Sequence, residues 1–394
     1  MKKRKKYAAV LVLSCVLGIC PAQAKAGEDL ELYARSAVLM DGSSGRILYG
    51  KEPDQPMPMA STTKIMTCIL ALEEAGGLEG AQKTVCHVSG EAAAQPQVKL
   101  GMQEGENFYL SDLLYSLMLE SHNDTAVCVA ETIGGSLEAF AEKMNEKARE
   151  IGCEDTYYIT PNGLDAADQG GIHHTTAADL AAVMRYCLVS SPAAADFLAV
   201  TSEPSYTFSD TEGGRSFSCV NHNAFLSMME GALTGKTGYT ADAGYCYVGA
   251  LQREDTLLIV SLLACGWPGN KGYKWVDTRK LMEYGLDHYR MVNLTQGELV
   301  LPEVTVQGGQ QENVDVSAEL PSVKMLMKEG EQVQRTVRLK SMAKAPVTAG
   351  EEMGEVVYLV EGIPYARALV TADESVGEYN YAYCLEKIME EFCL

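Results

Sequence analysis

Residues 58–67 read Pro58-Met59-Ala60-Ser61-Thr62-Thr63-Lys64-Ile65-Met66-Thr67. Downstream, Ile65, Ile69 and Leu72, with Met66 and Leu70, recur at helical spacing until Gly76-Gly77. A helix therefore runs from the Ser61 region to the glycine pair. Residues three apart on a helix share a face, so the amine of Lys64 can reach the hydroxyl of Ser61. A serine hydroxyl is a poor nucleophile until an adjacent base accepts its proton. Lysine serves as that base only if burial or a second cation lowers its pKa. The first-turn N–H groups of the helix have no helical partner and favour negative charge, which makes the N–H of Ser61 an oxyanion donor.

Before this stretch, Ala37–Met40 and Arg46–Tyr49 flank Asp41-Gly42-Ser43-Ser44-Gly45 and read as a hairpin. After it the chain is helical. Ser111 can cap a helix carrying Leu113, Leu114, Leu117 and Met118, and Asp124 can cap the next, which stops at Gly134-Gly135. Ser136 and Thr176 open two more. Ala232–Thr237, Gly244–Leu251 and Thr256–Cys265 are β-rich, the last two reading as adjacent antiparallel strands, and Val276–Tyr289 is an amphipathic helix. Beyond about residue 291, segments such as Thr336–Lys340 alternate with period two between Gly/Pro turns, the pattern of a separate small all-β domain.

Two more short motifs follow in order. Ser121-His122-Asn123 lies in the turn between two helices, and Lys236-Thr237-Gly238 lies on a strand within Leu233-Thr234-Gly235-Lys236-Thr237-Gly238. Each is weak alone; their order, separation and context are strong together. Lys236 is the cation expected to lower the pKa of Lys64. Gly238 would let a substrate lie close along the strand edge, where main-chain bonds can align a peptide. His122, as the middle residue of its motif, should point away from substrate.

With these motifs the sequence resembles the penicilloyl-serine transferases, the penicillin-binding proteins and class A β-lactamases. Within them it is similar to the low-molecular-mass D-alanyl-D-alanine carboxypeptidases. The resemblance implies an α/β (α+β) catalytic domain over residues 28–290, with an antiparallel sheet, a helical subdomain and the site between them. A β-rich domain over 291–375 and a tail over 376–394 would follow. It implies that Ser61 is acylated by the penultimate D-alanine carbonyl, with Lys64 as base and Ser121 relaying a proton to the leaving D-alanine. Asn123 would hold the substrate backbone, Lys236 and Thr237 the terminal carboxylate, and the N–H of Tyr239 would be the second oxyanion donor. Peptidoglycan stem peptides and β-lactams would be the ligands, and no metal or organic cofactor is implied. Thr160-Pro161-Asn162-Gly163-Leu164-Asp165 resembles the family's loop flanking the site. Arg279 stands where the family often has a carboxylate-assisting arginine, and a solvated helix face explains it as well. His222 receives no role.

Rival readings differ at particular residues. A class A β-lactamase positions water with a glutamate in an E-x-x-L-N stretch, whereas Tyr157–Gly163 contains no glutamate, so rapid β-lactam turnover is not expected. A D,D-endopeptidase would use the same residues. A non-catalytic peptidoglycan-binding protein would not be expected to keep all seven motif residues. His173-His174 lacks an HExxH pattern or an acidic partner at metal-ligand spacing and reads as a solvated turn before the Thr176 cap.

The ends and the composition place the chain. MKKRKK, the uncharged apolar run Tyr7–Cys20 and the small residues Ala22, Ala24 and Ala26 have the order of a secretory signal peptide over 1–24, cleaved after Ala22-Gln23-Ala24. Its removal takes away five positive charges and no negative ones, moving the formal charge from −21 to −26. Such a surface excludes nucleic acid and repels anionic lipid. Of 12 cysteines, ten follow the signal, scattered singly; Cys68, Cys128 and Cys187 fall at apolar helical positions and read as small buried hydrophobes. In the tail Tyr381, Cys384, Leu385, Ile388 and Phe392 form one apolar helical stripe, while the polar face carries Glu386, Glu390 and Glu391 against Lys387. Two readings stay open there: weak peripheral membrane contact, or docking on the chain's own β-domain.

Overall fold

The structure, a computed structural model, describes residues 30–297, 299–320 and 322–392; the signal stretch lies outside them. The hairpin is β1 (Ser36–Asp41) and β2 (Ile47–Lys51). Helices α1 (Lys64–Ala75), α2 (Leu110–Leu119), α3 (Asn123–Gly134), α4 (Leu137–Ile151) and α5 (Ala177–Arg185) follow. Then come β3 (Ala232–Thr240), β4 (Gly244–Arg253), β5 (Thr256–Leu263) and α6 (Tyr273–His288). The strands form one antiparallel sheet in the order β2-β1-β5-β4-β3, so β3 is an edge.

Alternation along the strands divides the core into two layers. Leu258, Val260 and Leu262 pack with Leu281 and Met282 of α6. Ile259 and Leu263 face the other way, into the core shared with α1 and α5. Burying each such side chain contributes roughly 1.5–3 kcal/mol. Every residue of α1 from Lys64 to Leu72 is buried, and Gly76, at φ 76°, ends the helix in the left-handed conformation. A helix apolar on all sides belongs inside a core, and this one carries Lys64 into it.

Two caps differ from expectation. Ser111 lies inside α2, because the short strand Asn107–Tyr109 runs directly into the helix and Tyr109 takes the cap position. Asp124 is already within α3; its carboxylate accepts instead from the N–H groups of Leu100 (2.9 Å), Gly101 (2.8 Å) and Met102 (3.2 Å). Ser136 and Thr176 cap as expected, accepting from Ala139 N–H and Asp179 N–H. Cys68, Cys128 and Cys187 are buried free thiols.

Beyond α6, β6 (Tyr289–Asn293) pairs with β7 (Lys324–Lys328), and β8 (Val333–Leu339), β9 (Glu352–Val360) and β10 (Ile363–Ala372) form a meander. Val304, Met353, Val356 and Val370 share a separate small core there. Contacts cross the expected boundary at 290/291. Leu326 packs in the α6 layer of the main core. Its N–H donates to Asp41 Oδ2 at 2.9 Å, and Arg46 donates to its carbonyl at 3.0 Å while pairing with Glu331. No residue of the last helix, α7 (Tyr381–Phe392), is buried.

Candidate active site

The three motifs converge where the edge strand β3 meets the start of α1 and the α2–α3 turn. Ser61 sits in a short 3-10 turn, Ala60–Thr63, that leads into α1. Ala60 has φ +49° and Ser121 φ +68°, a conformation that costs a non-glycine residue about 1–3 kcal/mol and clusters at functional sites. Each strained residue serves the site: Ala60 turns the chain into Ser61, and Ser121 aims its hydroxyl at Lys236, whose Nζ is 2.8 Å away.

Lys64 Nζ has three neighbours, Ser61 Oγ at 2.9 Å, Asn123 Oδ1 at 2.9 Å and the Asn162 carbonyl at 2.7 Å. Asn123 Oδ1 and Asn162 O can only accept. Once Lys64 has lost a proton, these two take its remaining N–H bonds and its lone pair faces Ser61 Oγ. Burial, and then the nearby Lys236 cation, hold Lys64 well below the usual lysine range, with Asp124 opposing. Burial also pushes Lys236 down to about 7.

Gly238 packs closely against the turn that carries Ser61. A Cβ there would stand 2.9 Å from Ser61 N and 3.0 Å from Met59 O. The missing side chain thus lets β3 lie against that turn. The ring of Tyr239 packs on Tyr245 with centroids 4.7 Å apart. Thr237, Lys236, Ser121, Glu120 and Asn223 line a small cavity of about 50 Å³. His222 lies at the same cavity with Nε2 2.7 Å from Glu120 Oε2.

Asn123 is buried; its Oδ1 accepts from Lys64 and its Nδ2 donates to the Pro96 carbonyl at 3.3 Å. Two expectations change. Arg279 is not at the cleft. It extends from α6, on the opposite face of the sheet, to the Met228 carbonyl (3.0 Å) and to Glu283 (3.5 Å). His173 is buried, not solvated. His122 does turn away, its Nδ1 2.8 Å from Ser116 Oγ. The group missed by sequence reasoning is the Asn162 carbonyl. Gly163, at φ +82°, makes the turn that presents it, packed so closely that a Cβ would lie 2.0 Å from Ala60 O.

Residues 22–265 match the D-alanyl-D-alanine carboxypeptidase family. The chain belongs to that family. It is 27% identical to the D-alanyl-D-alanine carboxypeptidase DacF of Bacillus subtilis, over 93% of this chain and 92% of the relative. Penicillin binding protein 5 from Haemophilus influenzae has a similar fold, with TM-score 0.68 and 25% identity, covering 92% of this chain and 100% of that one. Penicillin-Binding Protein D2 from Listeria monocytogenes, in its ampicillin-bound form, aligns with TM-score 0.56 and 27% identity, covering 66% of this chain and 100% of that one. The protein is accordingly a serine-type D-alanyl-D-alanine carboxypeptidase, a hydrolase of the low-molecular-mass penicillin-binding class.

Proposed function

We propose that the protein removes the terminal D-alanine from peptidoglycan stem pentapeptides outside the cytoplasm, through an acyl-enzyme on Ser61. The observation that carries this reading is the three-way coordination of Lys64 Nζ, which leaves one direction for proton transfer, from Ser61 Oγ–H. Ser61 attacks the penultimate D-alanine carbonyl as its proton passes to Lys64. The oxyanion is met by the N–H groups of Ser61 and Tyr239. Collapse breaks the peptide bond, and the leaving amine takes a proton through Ser121, which Lys236 holds at 2.8 Å. Lys236 and Thr237 bind the terminal carboxylate. Water then hydrolyses the ester and returns the serine. A β-lactam acylates Ser61 by the same attack, and the signal-like amino terminus supports an extracytoplasmic location.

The two lysines have opposite requirements, which fixes the pH dependence. Acylation needs Lys64 neutral, so kcat/KM rises as pH climbs through its depressed pKa. Carboxylate binding needs Lys236 charged, so kcat/KM falls as that proton leaves. A bell-shaped profile is expected, and Lys236→Arg should remove its falling limb while keeping the rising one. A profile in which Lys236→Arg removes the rising limb would reverse the assignment.

The catalytic unit is placed at residues 28–290, with 291–375 as an attached β-domain, a division supported by the 66% coverage of a complete Listeria chain. The tail is proposed to make weak peripheral membrane contact. Tyr381 and Phe392 are 82% and 68% exposed, and Leu385, Ile388 and Met389 are exposed beside them, which favours membrane contact over docking on the β-domain. Among the described residues no single helix is long and apolar enough to cross a membrane. The acidic polar face opposes anionic lipid. Co-sedimentation with neutral vesicles should exceed that with anionic ones, increase with salt and disappear in a protein ending at Val376. Tight, salt-released binding to anionic vesicles would contradict this.

A further inference from the structure

We infer that His173 is a positioning residue for acylation, tying the loop that supplies the Asn162 carbonyl to the turn that carries Ser61. The inference rests on the Ser61–Lys64 reading above. His173 is 3% exposed. Its Nδ1 lies 3.0 Å from the Ile159 N–H and 3.4 Å from the Thr160 N–H. Both neighbours are donors, so Nδ1 accepts and the ring proton is on Nε2. Nε2–H then donates to Thr63 Oγ1 at 2.8 Å, and the Thr63 hydroxyl donates onward to the Ala60 carbonyl at 2.8 Å. Every member of this chain is satisfied, and its direction is fixed from end to end. Burial holds the ring down to about 4, so it stays neutral, and the tautomer stays fixed, at the pH where the enzyme works.

The two ends of the chain are the two parts that must keep register. One end is Ile159-Thr160, immediately before the Asn162 carbonyl that orients Lys64. The other is Ala60, whose left-handed backbone turns the chain into Ser61. Thr67, one turn after Lys64, holds the same loop by donating to the Pro161 carbonyl at 2.7 Å. The loop is thus held at two points just before Asn162, by α1 at Pro161 and by His173 at Ile159 and Thr160. His173 touches none of the reacting atoms. It acts through the distance from the Asn162 carbonyl to Lys64 Nζ, and so through the direction of the lysine lone pair. The substrate-binding groups Lys236 and Thr237 stand on β3, outside this chain of bonds.

The test separates binding from chemistry. Stopped-flow acylation by a chromogenic cephalosporin yields the non-covalent Kd and the limiting acylation rate constant separately. His173→Phe and Thr63→Val should each lower the acylation rate constant by about 10²-fold, the scale set by a 1 Å misplacement, with Kd unchanged. The double variant should be no slower than either single one, because both break one chain. His173→Gln, whose amide can accept from Ile159 and donate to Thr63, should recover most of the rate. Thr63→Ser should react like the native protein, so if His173→Phe fails to fold the threonine pair still decides. An unchanged rate constant in a folded Thr63→Val protein, additive losses, or a parallel change in Kd would overturn the inference. Intact-mass mapping of the native adduct away from Ser61 would instead overturn the catalytic reading on which it rests.

Discussion

Ser61→Ala should abolish both D-alanine release from a pentapeptide and covalent labelling by a fluorescent penicillin, while leaving the melting temperature close to native. Both expectations follow from position. The Ser61 hydroxyl is 2.9 Å from a buried amine whose other two acceptors are fixed. The Ser121 hydroxyl, also at the site, faces Lys236 instead. Ser61 is only partly buried, so trading its hydroxyl for hydrogen leaves no large cavity, and removing the nucleophile removes the covalent route altogether. In-gel fluorescence and intact mass decide the matter. Residual labelling above background in the folded variant would place the nucleophile elsewhere.

Lys64→Met should slow acylation by about 10²–10⁴-fold, the contribution of a positioned general base. Methionine fills much of the lysine stem's volume, so α1 should keep its packing and the loss should appear in the rate constant. The change leaves Asn123 Oδ1 and the Asn162 carbonyl without their shared donor, at a cost of roughly 1–3 kcal/mol for each unsatisfied buried acceptor. The melting temperature should therefore fall moderately, in contrast to Ser61→Ala. Chelators should leave the native rate unchanged. Activity abolished by EDTA and restored by zinc would contradict a serine–lysine mechanism.

What the sequence made legible is what short-range periodicity encodes. Ser61 and Lys64 are three residues apart, so naming the helix was enough to pair them. The strands were legible as β-rich runs, whereas the alternation of Leu258–Leu263 between two cores is seen only in the fold. Groups whose role depends on distant partners were not legible. The carbonyl of Asn162 is a backbone atom that any residue would supply, and only the Gly163 turn hints at it. His173 looked solvated because it precedes a helix cap, yet its partners Ile159 and Thr63 come from two other segments. Asp124 resembled a cap by residue type, but the N–H groups of residues 100–102 claim its carboxylate. Leu326 lies far along the chain from Asp41, and no local pattern announces that it completes the first core. Arg279 stands where the family often has an arginine, and a solvated helix face explains it as well; the side of the sheet on which its helix packs turns it away from the cleft.

The most direct test of the central claim is to quench the protein during turnover of a defined muropeptide pentapeptide and map both protein and products by mass. The account expects free D-alanine, a tetrapeptide product, and a transient tetrapeptidyl ester on the peptide containing Ser61. An ester on another residue, or D-alanine release with no covalent intermediate when deacylation is made slow, would contradict it.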